Sequence, residues 1–355
     1  NYLTWSSMNA STLYPLADGT YATASSPSVL GNNKLTWETS EQLDFGIDLR
    51  FLADRLGFTM DYYHKTTKDL ITTNTPPLEA GNSASPINGG NVVNKGFDFE
   101  LTWRDHIGDF KYSIAANLST LKNEVTYLDP TISRLNGASV NKWSSATAFE
   151  KGLPVWYFRG YKTDGIDPAT GNVNFVDVNG DGTVNANDFT YIGSAIPDIT
   201  YGATLNMEYK GFDFTMFIQG QAGNDILMGI IRTDRPATNK LSLFYTDRWT
   251  PENPNASRPS ATVDAKYWNS DQMLFNGSFM KIKQIQLGYS LPALVTNKLH
   301  IGHTRIYASL DDFFTFTNYP GMDPEASSSD NNSIGIDRGF FPISKKVLFG
   351  LSLNF

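Results

Sequence analysis

Polar and apolar residues alternate along this chain in short recurring runs. In QLDFGIDLRF, Leu43, Phe45, Ile47, Leu49 and Phe51 fall on one side, and Asp44, Gly46, Asp48 and Arg50 on the other. A period of two predicts a strand, because successive side chains of an extended backbone point to opposite faces. The link ADR leads into LGFTMDYYHK, where Leu56, Phe58, Met60 and Tyr62 alternate with Thr59, Asp61, Tyr63 and Lys65. Two runs joined so tightly predict an antiparallel hairpin. The pattern returns in GFDFELTW (Phe97, Phe99, Leu101, Trp103) and, after RDHIGD, in FKYSIAANLS (Phe110, Tyr112, Ile114, Ala116, Leu118). It returns again in TYGATLNMEYKGFDFTMFIQGQ, whose runs Tyr201 to Tyr209 and Phe212 to Ile218 meet at a Lys210-Gly211 turn. SFMKIKQIQLGYSLP and TRIYASLDDFF follow, joined by a connection holding Pro292 and a short helix. KKVLFGLSLNF then ends the chain with Val347, Phe349, Leu351, Leu353 and Phe355 in phase. One place breaks step: Ile282 is out of phase with Ile285, Leu287 and Tyr289. Either a bulge sits there or the upper part of that strand leaves the apolar environment.

These runs amount to about nine strands, and the first forty residues, rich in Ser, Ala and Asn, read as loop. The connections are more telling than the strands. Short links alternate with long ones at 69–92, 122–198, 223–276 and 317–344. Soluble sandwiches rarely segregate loop length by end; outer-membrane barrels do, with short periplasmic turns and long extracellular loops. The faces by themselves leave a soluble β module open, since an apolar face could equally be a core. Tyr62, Trp103, Tyr209, Phe212 and Tyr289, near strand ends, suit an interfacial girdle or ordinary packing. An odd number of strands does not close the usual bacterial barrel, and the edge strands at 42–51 and 345–355 would offer unpaired backbone to lipid. The expected fold is therefore all-β: an antiparallel transmembrane β-barrel sector, continued by strands outside this chain.

Composition narrows the function. Cysteine is absent, which excludes disulfides and thiolate metal sites. The net charge of −8 comes without a basic run, so nucleic acid is not an expected partner. No apolar stretch reaches the ~18 residues of a membrane-spanning helix, but barrel strands escape that test. No signal peptide opens the sequence, so an exported chain is expected to be a mature protein or a fragment.

Several longer words then accumulate: LTWETSEQLDFGIDLRFLADRLGFTMDYYHKTTKDL, VNKGFDFELTW, KGLPVWYFRGYKTDGIDPATG, DVNGDGTVNANDFTYIGSAIPDITYG, YKGFDFTMFIQGQAGN, RWTPENP, GSFMKIKQIQLGYSLP, TRIYASLDDFFTFTNYPGMDPE and GLSLNF. In this order, over nearly the whole chain (1–355), they resemble the C-terminal part of the SusC/RagA family of TonB-dependent outer-membrane transporters. The resemblance implies a 22-stranded barrel with an N-terminal plug, set in outer-membrane lipid and importing glycans or peptides in Bacteroidota. It implies a SusD-like surface lipoprotein as lid and a TonB complex acting through the N-terminal part. Plug, TonB-contacting segment and earlier strands are expected to lie outside this chain.

The candidate chemistry is sparse. In DVNGDGTVNAND, within the long loop 122–198, oxygen donors recur at Asp177, Asn179, Asp181, Asn185 and Asp188. Thr183 offers its carbonyl and Gly182 the sharp turn at position six. No amphipathic helices flank it, so the expectation is a structural Ca2+ staple rather than a sensor, with an ion-free Asx-rich turn as the alternative. His300 and His303 lie in a short turn without a carboxylate beside them and are not expected to hold a metal. Asp311 and Asp312 read as a solvated strand end rather than an acid–base pair. GDGT and NGG are turns rather than phosphate loops, and no serine sits in a nucleophile elbow, so no enzyme is expected. Cargo contacts are expected from loop aromatics: Trp143, Trp156, Tyr157, Trp249, Tyr267, Trp268 and Tyr319, each of which could instead pack the loops. Phe355, closing an alternating strand, resembles the signal read by the outer-membrane assembly machinery. Two other functions fit the same pattern: a passive porin-like or adhesin barrel, and a soluble calcium-stabilised carbohydrate-binding module.

Overall fold

The computed structural model describes residues 5–74, 79, 81, 83, 85–230, 241–262, 264–298, 301–325, 328 and 330–354. Ten strands form one antiparallel sheet; nine stand side by side, β1 (Thr39–Phe51), β2 (Leu56–Asn74), β3 (Ser85–Ile107), β4 (Phe110–Thr120), β5 (Ile199–Tyr209), β6 (Phe212–Ala222), β7 (Phe279–Ser290), β8 (Thr304–Thr317) and β9 (Lys346–Leu353), and Lys122–Leu128 pairs with β3 beyond the end of β4. Each of β1 to β9 pairs with its neighbours in sequence, giving an up-and-down meander. Lys210 and Gly211 turn the chain at φ 46° and 88°, the left-handed geometry that matches the twist of the strands they join. The short helix Ala293–Lys298 follows Pro292 as the sequence predicts.

The register carries the apolar rows unbroken across the wall. Ile47 faces Met60, Phe99 faces Leu118, Leu205 faces Met216, Met216 faces Ile285, and Leu310 faces Val347. Among the described residues no second sheet covers that face. Phe45 is 64% exposed and Phe349 83%. A face this apolar is stable only against hydrocarbon, which disfavours the soluble sandwich. β1 and β9 each pair on one side only, leaving two open edges.

Three expectations are corrected. Residues 69–92 are largely strand, since β2 and β3 run past the apolar repeat and pair as far as Asn74 with Ser85. The link RDHIGD shrinks to Gly108 and Asp109, because Arg104 to Ile107 continue the ladder. The first forty residues hold a hairpin, Ser7–Pro15 with Tyr21–Val29. In all three, backbone pairing continues where the alternation of side chains fades.

The buried core lies at the long-loop end. One cluster joins Trp143, Phe158, Ile226, Leu227, Tyr267, Met273, Tyr319 and Ile336, all from the long connections. A second gathers Val125, Leu128, Ile132, Leu135 and Phe149 around Val92 of β3. Two small sheets frame this cap. Thr190–Gly193, Tyr157–Gly160, Thr147–Phe149 and Leu135–Asn136 form one, in that order. Leu274–Asn276, Asp225–Met228 and Ile336–Asp337 form the other, so two of the long connections interlace.

Candidate functional site

A cleft of about 570 Å³ opens where the polar face of the wall meets the cap. β5 and β6 present Thr200, Gly202, Gln219 and Gln221 to it, the polar half of the strand alternation. Gly220 permits close approach there: a Cβ would lie 2.4 Å from both the Phe279 carbonyl and the Tyr201 hydroxyl. Gln219 donates to Glu325 Oε1 at 2.9 Å. Asn224 is buried in the lining, and its Oδ1 has no hydrogen-bond partner. A buried carbonyl oxygen left without a donor invites a ligand N–H or O–H.

Beside the cleft lies a charge network that the sequence reading missed. β7 bulges at Lys283: pairing with β6 steps from Phe217–Gln284 to Ile218–Ile282, and pairing with β8 from Gln284–Asp311 to Ile282–Phe314. The out-of-phase Ile282 thus marks a bulge. Lys283 meets Asp312 at 2.6 Å and Glu325 at 3.5 Å. Lys281, only 3% exposed, meets Asp323 at 2.7 Å and also Glu325. Two carboxylates around one buried ammonium are what make its burial tolerable. Burial would raise the Asp323 carboxyl, but the bond from Lys281 and the amides of Glu325 and Ile343 hold it below the usual range. The network ties Asp323, Glu325 and, through its amide, Ile343 to the wall. It also corrects the reading of Asp311 and Asp312 as a solvated strand end: Asp312 is ion-paired, and Asp311 accepts from Ser309 at 2.6 Å.

A continuous apolar face on a meander with long loops gathered at one end is the architecture of an outer-membrane barrel wall, and known proteins agree. The family described as TonB dependent receptor-like, beta-barrel, matches residues 2–216. The chain belongs to that family. TonB-dependent receptor P3 of Formosa agariphila is 31% identical over 351 residues, covering 91% of this chain and 35% of that protein. TonB-dependent receptor SusC of Bacteroides thetaiotaomicron is 27% identical, covering 96% of this chain and 34% of that protein. The structure of the RagAB peptide transporter superposes with a TM-score of 0.81 at 25% identity, covering all of this chain and 39% of that one. The chain thus spans about a third of the length of the curated relatives it matches. The resemblance to the SusC/RagA family and the all-β barrel fold hold, and the location is the outer membrane.

Within this receptor wall and cap, the aromatics expected to meet cargo are packed inward. Trp143, Tyr157, Tyr267 and Tyr319 are buried. Trp143 donates to the Arg159 carbonyl, Tyr157 to Glu150 and Tyr319 to Asp337. Trp156 packs on Phe149, and Trp268 on Phe244 and Tyr267. Trp249 lies over Gly171 and donates to the Pro168 carbonyl at 2.9 Å. Trp143, Tyr267 and Tyr319 are cap core and Trp156 and Trp268 pack half-buried against it, whereas Trp249 belongs to neither cluster and stays partly open.

The six candidate metal ligands lie on one turn, where Asp177, Asp181 and Asp188 do not converge on a common point. Asp177 accepts from the amides of Gly180 and Gly182 at 2.8 and 2.7 Å, and Gly180 and Gly182 are left-handed at φ 73° and 83°. Asn179 accepts from Asp181, and Asp181 from Thr183, each through backbone amides. Asn185 caps the short helical turn Ala186–Asp188. Asp188 differs from the rest: it is buried and both oxygens take amides, those of Val178 and Asn179 on one and of Asn185 on the other. The Asn185 amide first, with those of Asn179 and Val178, holds its carboxyl below the usual range. Asp188 is therefore the hub of the turn, while Asp177, Asn179, Asp181 and the Thr183 carbonyl remain near its surface. His303 is exposed, and His300 and Phe355 lie outside the described residues.

Proposed function

We propose that this chain is the C-terminal part of the wall and loops of a SusC-like TonB-dependent importer of glycans or peptides. In this reading further strands complete the barrel, a plug fills it, a TonB complex drives it and a SusD-like lipoprotein covers the loops. The observation that carries it is the cleft beneath the cap: neutral hydrogen-bonding side chains on the polar face of a wall whose other face requires lipid, with the unmet Asn224 Oδ1 among them. Amides and hydroxyls on a polar channel wall suit a polymer rich in hydrogen-bonding groups that must be held and released. The test is uptake by cells carrying the full-length receptor. Asn224→Leu and Gln219→Leu should each lower cargo uptake at least about fivefold with surface expression unchanged. Normal uptake by both would remove the cleft from the import path.

Phe355 serves this role as an assembly signal; its deletion should cut the amount of inserted receptor far more than the cargo affinity of what remains. The passive porin or adhesin reading differs in one respect: its uptake would persist without the TonB complex.

The turn at 177–188 is proposed as a Ca2+ staple. Asp177, Asn179, Asp181 and the Thr183 carbonyl would hold the ion, with Asn185 and Asp188 keeping the frame; the ion would supply only cross-linking charge. Calcium at about millimolar concentration should then protect the 177–188 segment from protease in the receptor, and Asp181→Ala should abolish that protection. Equal cleavage with calcium and with chelator would refute the staple.

A further inference from the structure

We propose that Arg159 and Arg134 form a carboxylate-binding site on the cap that takes the uronate of an acidic carbohydrate. The four-stranded cap sheet sets the face. Ala148 lies opposite both Asn136 and Tyr157, and Arg159 opposite Tyr191. By strand alternation Arg134, Glu150, Tyr157, Arg159 and Tyr191 therefore share one side, while Phe158 enters the core on the other.

Arg159 is 8% exposed, and its Nε has no hydrogen-bond partner. No carboxylate among the described residues lies within ion-pair distance of it. The contrast with Lys281 is direct: that buried cation has two carboxylates, whereas Arg159 has none. Glu150, the carboxylate of this face, is taken by the Tyr157 hydroxyl at 2.8 Å. Among the described residues Arg134 donates only to the neutral Asn136, at 3.3 Å. Burial, and then the charge of Arg134, depress the Arg159 guanidinium below its ordinary value, and the Glu150 carboxylate offsets this only in part, one anion facing two cations. Asp198 and Asp225 line a cleft onto which Tyr191 also opens, and among the described residues they make no ion pair with either arginine.

The fork is also held ready. The guanidinium stacks 5.0 Å over the Phe189 ring, which fixes its plane. Two planar donors with unspent N–H groups match the paired oxygens of a carboxylate. Across the strand pair, Tyr191 packs 5.6 Å from Tyr157 and is 42% exposed. An open ring beside an arginine fork fits a sugar face bearing a carboxylate better than an extended peptide.

This inference takes from the proposed import role only that the loops meet cargo. The test is equilibrium binding to the full-length receptor in detergent, read by saturation-transfer NMR and calorimetry. The probes are sodium glucuronate, glucose and N-acetylglutamate amide. Glucuronate should bind at least about tenfold more tightly than glucose. Arg159→Met should weaken glucuronate about tenfold, Arg159→Lys by less because it keeps the charge and loses the fork, and Arg134→Met by a few fold. Should Arg159→Met fail to fold, Arg159→Lys and Arg134→Met decide the matter. Glucuronate binding unchanged in the folded variants, or no better than glucose, overturns the site. N-acetylglutamate amide bound as tightly as glucuronate overturns the sugar assignment. A receptor that binds glucuronate through Arg159 but imports nothing would leave this site standing and count against the import reading alone.

Discussion

Lys281 shows how much a single side chain decides in this wall. It is buried on the polar face of β7, and its two carboxylate partners, Asp323 and Glu325, come from the last long loop. Removing the cation strands Asp323 and leaves Glu325 only Lys283 and Gln219 in a partly dry site, which costs on the order of 3 kcal/mol. Lys281→Met should therefore release Asp323, Glu325 and Ile343 from the wall, seen as faster exchange of the Glu325 and Ile343 amides while the strands stay protected. Acid should act on the same contact. The Asp323 carboxyl is lowered in the fold from 3.8, so its stabilisation is complete above that value and is lost as pH falls through the lower folded value. Protease protection of the loop should persist from neutral pH to about 4 and fail only below it. A loop that loosens near pH 6 would assign the contact to some other group. In the sequence, Lys281 and Lys283 are visible only as polar positions; the broken phase at Ile282 marks the bulge but says nothing of carboxylates some forty residues on.

At the scale of elements, the cap is held by pieces taken from separate connections. Tyr319, just past β8, donates to Asp337 at 2.6 Å, and Asp337 belongs to the strand that pairs in parallel with Asp225–Met228. Burial, and then that bond, push the Tyr319 hydroxyl well above its ordinary value, so it stays a donor at any physiological pH. Tyr319→Phe keeps the ring and leaves a buried carboxylate short of one donor, a loss of about 2 kcal/mol. The expected result is a cap that melts earlier while the wall is unchanged, measured as separate transitions in calorimetry. The nine strands were legible in advance because each repeats an apolar residue at every second position. The extensions of β2 and β3, and the first hairpin, were not, because outside the apolar zone both faces of a strand can be polar and the period disappears.

At the scale of the whole molecule, the two faces of the wall obey different solvents. Met216, mid-strand in β6, belongs to the apolar row with Leu205 and Ile285 on either side, while its neighbour Thr215 points the other way and pairs with Asn206 and Gln286. Met216→Arg should cost about 2–4 kcal/mol of membrane-folded stability, and Thr215→Arg far less, in urea unfolding from lipid vesicles. Equal effects would mean that the outward face does not meet hydrocarbon.

The sequence by itself determined the strands, their order, the end at which the long loops gather and the family, because period-two alternation and short turns are local properties of the backbone. Tertiary structure alone decided which loop aromatics are core, where the buried lysine finds its carboxylates and that the buried Arg159 has none within ion-pair distance among the described residues. Those outcomes depend on segments brought together from distant parts of the chain, and burial and charge pairing are set by that meeting rather than by any neighbour in sequence.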